Sequence, residues 1–240
     1  MKKNSLIVSL DVETFRQAQE LIHELDEIVE IFKVGSQLFT AYGPFVTRYL
    51  QARGKKVFLD LKFHDIPNTV ASAVKSAVSL SIPPGNEKNF VPIFMLTVHT
   101  AGGKEMLEAA VKAAKEHARK LKVKRPLIVG VTVLTSQGKD DKLEARVLER
   151  ALLAKRCGLD GVVASVEETP SIRRYCPEKF VVVTPGIRPA GIGMDDQKRI
   201  APPGEAIRMG SSYLVVGRPI IQADNPFKAA KAILKEISGG

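Results

Sequence analysis

The chain has 240 residues, 45% apolar and 26% charged, the usage of a globular protein long enough to bury about 70–75% of its unfolded surface, which excludes a disordered chain. Its 36 Lys and Arg outnumber 26 Asp and Glu by ten, but they are scattered through amphipathic stretches such as 112–125. With 6% aromatics and no tryptophan, a solvated basic surface explains the charge and no nucleic-acid partner is expected.

The opening MKKNSLIVSLDVET reaches Asp11 before an apolar stretch of signal length accumulates, and no run is long enough to span a membrane. Two cysteines, Cys157 and Cys176, are too few for a disulfide framework or a four-ligand zinc site. They point to a reduced, cytoplasmic protein. Strand-length apolar runs then recur along the chain: LIVSLDV (6–12), EIFKVGS (30–36), KVFLDLK (56–62), IFMLTVHT (93–100), PLIVGVTVL (126–134), GVVASV (161–166), FVVVTPGI (180–187) and YLVVGRP (213–219). Between them lie stretches of helical spacing, among them FRQAQELIHEL (15–25), the segment 112–125 and EARVLERALLAKRC (144–157). Runs rich in Val, Ile and Leu that alternate with helices indicate a parallel sheet buried on both faces. A doubly wound open sheet would fit this alternation. Eight repeats within 240 residues, with no shift in composition, favour one (β/α)8 TIM barrel over 1–240. The Pro- and Gly-rich segment SIPPGNEKNFVP (81–92) precedes the fourth strand, so it is expected on the N-terminal face, away from the chemistry.

In such barrels the C-terminal strand ends carry the chemistry. Here those ends are Asp11, Lys33, Asp60 with Lys62, His99, Thr135 with Ser136, Ser165, Arg188 and Arg218. One charged end is ordinary solvation; several converging on one mouth are not. In VFLDLKFHD, alternation puts Val57, Leu59, Leu61 and Phe63 on one face and Asp60, Lys62 and His64 on the other. A buried Asp–Lys pair is a costly way to gain stability. Two carboxylates, Asp60 and Asp65, flank Lys62, and Lys33 arrives from the neighbouring strand. Such a network keeps Lys62 protonated and both aspartates ionised, an arrangement suited to controlled proton delivery. Near the C-terminus, Arg188 follows a Pro-Gly turn, and Gly217 with Arg218 ends strand eight. Loops after strands seven and eight often hold phosphate, with arginine as a bidentate clamp. His64 and His99 lack metal-ligand spacing and read as structural.

These residues carry a pattern. DLKFHDIPNT (60–69) resembles the D-x-K-x-x-D-I-P-N-T signature of the orotidine 5′-monophosphate decarboxylase family. VSLDV (8–12), FKVG (32–35), VHTAGG (98–103), VTVLTS (131–136), VTPGIRPAG (183–191), DDQ (195–197) and VVGRPI (215–220) follow in the family's order. The 81–92 segment and VHTAGG depart from the family's usual form. The resemblance implies a TIM-barrel homodimer that turns orotidine 5′-monophosphate into UMP for pyrimidine synthesis, with neither metal nor cofactor. It implies that Lys33, Asp60 and Lys62 form one chain's network, while Asp65 and Thr69 reach the partner's site. Asp11 and Lys33 are then ribose ligands, and Thr135 or Ser136 contacts the pyrimidine. Arg188, Gln197, Gly217 and Arg218 grip the phosphate, Gln197 bridging base and phosphate. A magnesium-dependent sugar-phosphate decarboxylase or lyase shares D-x-K-x-x-D but carries a Glu on strand two. Lys33 stands there instead, and a cation disfavours Mg²⁺ at that spot.

Overall fold

The computed structural model describes residues 5–85, 87–135, 141–189 and 200–239. Eight strands form: β1 (Leu6–Ser9), β2 (Ile31–Gly35), β3 (Lys56–Phe63), β4 (Met95–His99), β5 (Leu127–Val131), β6 (Gly161–Val163), β7 (Val181–Thr184) and β8 (Tyr213–Val216). They close into a barrel in sequence order, and every neighbouring pair is parallel, including β1 with β8. The open-sheet alternative is thereby excluded. Most strands are shorter than the apolar runs that announced them, because the last residues of a run already belong to the loop at the mouth.

Alternation along the strands builds two apolar layers. Ile7, Ile31, Phe58, Met95, Val129, Val183 and Val215 fill the lumen. Their sequence neighbours, such as Val8, Phe32, Val57, Leu59, Leu96 and Val182, pack outward against the helices. A plugged lumen makes the barrel a platform rather than a pore.

The helices start where local chemistry starts them. Thr14 and Gln17 form a capping box that opens the helix Phe15–Glu24, satisfying amides that have no partner within the helix. The helix within 112–125 is in fact Gly103–Leu121. It stops earlier than the periodicity suggested because Lys122 turns left-handed (φ 55°) and Val123 N–H bonds back to Ala118 O, a closure that ends the α-helix. The 81–92 segment precedes β4, and hydrogen bonds hold both of its ends. Buried Gln51 donates to the carbonyls of Leu80 and Val91, and Ser81 Oγ accepts from Ile93 N–H.

Strict alternation fails at one place. Leu59 pairs with Leu96, but the next pair is Phe63 with Val98, so β3 takes four steps where β4 takes two. Lys62 inside this bulge has φ 50°, a left-handed conformation that costs a non-glycine residue of order 1–3 kcal/mol. The alternation expected through residue 64 is therefore broken, and His64 lies exposed beyond the strand with its ring stacked on His99 at 5.1 Å.

One contact tests the closure directly. A Cβ on Gly161 would sit 2.1 Å from Val181 O on the neighbouring strand, and backbone cannot yield as a flexible side chain can. Gly161→Ala should lower unfolding free energy in urea by about 1–3 kcal/mol or more. An unchanged urea midpoint would show that the β6–β7 seam is not this close.

Candidate active site

The strand ends place four charged side chains in a row. Lys33 Nζ lies 3.1 Å from Asp11 Oδ1 and 3.7 Å from Asp60 Oδ2, and Lys62 Nζ lies 2.7 Å from the same Asp60 oxygen. The register explains the spacing, since Ser9 pairs with Lys33 and Gly35 with Asp60 across adjacent strands. Gly35 matters here. A Cβ on it would come within 3.0 Å of Lys33 Nζ and 3.4 Å of Asp11 Oδ1, intruding on the pair.

Two hydroxyls complete the row. Ser9 Oγ donates to Asp11 Oδ2 at 2.5 Å. Thr97 Oγ1 donates to Asp60 Oδ1 at 3.0 Å and accepts from Lys62 N–H at 2.8 Å. Neither residue, nor Gly35, was singled out from the sequence. The available signal was period-two placement of Thr97 on the face of Met95, where a hydroxyl interrupts an apolar strand.

A cavity of about 420 Å³ opens over the row. Phe58, Val131, Val163, Val183 and Val215 supply apolar wall, while Asp11, Lys33, Asp60, Lys62, Thr135, Arg188, Gly217 and Arg218 also line it. Arg188 is 5% exposed; its N–H donates to Ala201 O, and Ala201 N–H donates to Gly186 O. Ser136 and Gln197 lie outside the described residues. Asp65 and Thr69 do not join the cavity lining. Both are exposed, and Asp65 Oδ1 accepts from the N–H of Ile66, which is 65% exposed.

Burial alone would push the Asp60 carboxyl up. The charges of Lys33 and Lys62, with hydrogen bonds from Lys62 and Thr97, outweigh that and hold it below its ordinary value. His99 is held low by burial first, then by the nearby charges of His64, Arg150 and Lys62. Among the described residues no three His, Cys, Asp or Glu are grouped to hold a metal ion.

Comparison with known proteins now decides the family. The model described as Orotidine 5′-phosphate decarboxylase / HUMPS family matches residues 4–233. The chain belongs to this family. The orotidine 5′-phosphate decarboxylase of Moorella thermoacetica is 47% identical over 244 residues, covering 98% of this chain and 92% of that one. The protein of the same name from Syntrophomonas wolfei is 45% identical over 242 residues, covering 97% of each. The crystal structure of orotidine 5′-phosphate decarboxylase from Lactobacillus acidophilus superposes with a TM-score of 0.80 at 35% identity, covering 98% of this chain and 99% of that chain. The chain is thus an enzyme of the orotidine 5′-phosphate decarboxylase family on a TIM barrel.

The depressed Asp60 carboxyl has a pH consequence. A group whose folded pKa is lowered adds stability above its unfolded value and loses it as pH falls through the folded value. Carboxyl NMR of the ligand-free enzyme should show Asp60 titrating below 3.8, with the fold holding its charge row until that point. A midpoint above 3.8 would mean that burial outweighs the two ammoniums.

Proposed function

We propose that the enzyme decarboxylates orotidine 5′-monophosphate to UMP in pyrimidine biosynthesis, using only its own side chains. The observation that carries this reading is the alternating row Asp11–Lys33–Asp60–Lys62, which ends in an ammonium facing the cavity. In this reading the C6–carboxylate bond breaks, the electron pair stays on C6 and CO₂ leaves. Lys62 Nζ then gives C6 a proton and regains one from water. The carbanion has no π system to spread into, so a fixed cation beside it is the main stabiliser. Two unit charges 4 Å apart attract by about 4 kcal/mol at an effective dielectric near 20, roughly three powers of ten in rate if gained only in the transition state.

Binding falls to other groups. Arg188, Gly217 and Arg218, with Gln197, hold the phosphate in this proposal. Asp11 and Lys33 hold the ribose hydroxyls, and Thr135 or Ser136 meets the pyrimidine. The magnesium-dependent alternative is less favoured, because Lys33 Nζ occupies the space between Asp11 and Asp60 where a second cation would be repelled. Buried, unpaired Cys157 and Cys176 support a reducing, cytoplasmic setting. Among the described residues no helix is long and apolar enough to cross a membrane.

We also propose a homodimer with shared sites. Residues 64–69 are all exposed, and the helix Pro67–Ser79 begins to bury its side chains only at Val70. An exposed Ile66 beside Asp65 and Thr69 supports a covered surface in which both polar groups reach the partner's cavity.

Two measurements test these readings. Purified enzyme treated with EDTA should still bleach the orotate chromophore of orotidine 5′-monophosphate, and Lys62→Ala should lower kcat by at least about 10³-fold with its fold intact. Loss with EDTA and recovery with Mg²⁺ would turn the assignment toward the lyase. For the shared site, inactive Lys62→Ala and inactive Asp65→Ala chains are mixed and allowed to exchange. Random pairing makes about half the dimers mixed, so about a quarter of sites regain both wild-type residues. Activity should climb toward that fraction; none after confirmed exchange would return Asp65 to its own chain.

A further inference from the structure

We propose that Thr97 is the positioning residue of this site, one buried hydroxyl that holds the Lys62 backbone and the Asp60 carboxylate together and so sets where the ammonium stands. The proposal rests on the decarboxylase reading given above.

Thr97 is fully buried on β4 and does not line the cavity, so it touches no bound molecule there. Its two bonds have a fixed direction. The Lys62 N–H can only donate, so Thr97 Oγ1 accepts it at 2.8 Å. The hydroxyl proton is then committed to Asp60 Oδ1 at 3.0 Å, since an ionised carboxylate can only accept.

Its position coincides with the irregularity in the sheet. Between the pairs Leu59–Leu96 and Phe63–Val98, β3 carries residues that the ladder cannot match. The Lys62 N–H falls in that interval, on a residue with positive φ, and the Thr97 side chain takes the place of a backbone acceptor. The same oxygen then fixes one end of Asp60, while Lys62 and Lys33 sit at the other, Oδ2. Bulges re-aim side chains beside active sites, and here the Thr97 hydroxyl holds the re-aimed backbone. Valine has the shape of threonine without the hydroxyl, so it would release both atoms together.

The test uses the full-length enzyme with Thr97→Val and Thr97→Ser. Thr97→Val should lower kcat by about 10- to 100-fold, as expected for a small displacement of a reacting group. KM for orotidine 5′-monophosphate and Kd for UMP should change less than kcat, because the proposed phosphate groups Arg188 and Arg218 follow β7 and β8 and not β3 or β4. The acid limb of kcat/KM should move to higher pH in Thr97→Val, since the Asp60 anion, facing Lys33 and Lys62, loses one hydrogen bond that favours its charged form. Thr97→Ser should restore both kcat and the acid limb.

Wild-type kcat and acid limb in folded Thr97→Val would overturn the proposal. So would an equal loss of UMP binding that serine does not rescue, which marks a merely structural role. If Thr97→Val does not fold, hydrogen exchange of the Lys62 amide in wild type and Thr97→Ser decides. Slow exchange in both supports the bond, and exchange at the rate of an open loop overturns it. Failure of the decarboxylase reading looks different: wild type itself would leave orotidine 5′-monophosphate unchanged, while the amide measurement still judges the Thr97 bond.

Discussion

The site depends on one carboxylate. Asp60 is almost fully buried, and an ion taken out of water is costly unless every oxygen is answered. Here each is: Oδ1 by the Thr97 hydroxyl, Oδ2 by Lys62 and Lys33. Removing the buried partner Lys33 would leave charge uncompensated, with a penalty of about 3–5 kcal/mol, whereas loss of Lys62, whose side chain is 39% exposed, admits water to the carboxylate. Asp60 therefore dictates where both lysines can stand. Asp11 is half-exposed and lies at the other side of Lys33, where Ser9 donates to it, so water shares in its charge.

The barrel makes this row possible by closing. Lys33 and Asp60 come from adjacent strands and Thr97 from the next, and parallel pairing delivers all three to the same end. Beneath them the lumen is plugged by Ile7, Ile31, Phe58 and Met95, which keeps water from entering below the charges. Low local polarity strengthens each pair and makes each missing partner more expensive.

The order of strands and the charged ends were readable because both are periodic signals: apolar runs spaced by helices, and runs that finish in Asp, Lys or Arg. Boundaries were less readable. Nothing in the spacing of 112–125 announced that Lys122 would turn left-handed, since that cap is usually glycine. The bulge in β3 was invisible for a deeper reason. Alternation assumes one residue per step on both strands, whereas Lys62 gains its orientation from a hydroxyl on β4 that is 35 positions away. Asp65 and Thr69 stand apart from the cavity in this chain; the spacing set Asp65 beside Lys62, whereas its place in a partner's site, and Thr69 altogether, came from the signature's resemblance.

In the proposed reaction CO₂ departs neutral, so the total charge of the bound molecule does not change when the bond breaks. The negative charge only moves, from carboxylate oxygens to C6. A generally positive cavity would stabilise both arrangements and accelerate nothing. What is required is a cation whose position favours C6 over the carboxylate, beside an anion that disfavours the starting arrangement. The row supplies two of each sign and sums to zero, leaving Arg188 and Arg218 as the net positive charge among the described residues that line the cavity. In this proposal phosphate attraction and transition-state discrimination fall to different groups. That division explains why a neutral row with fixed positions serves the chemistry better than further positive charge, and why the atoms that hold Lys62 in place matter as much as its ammonium.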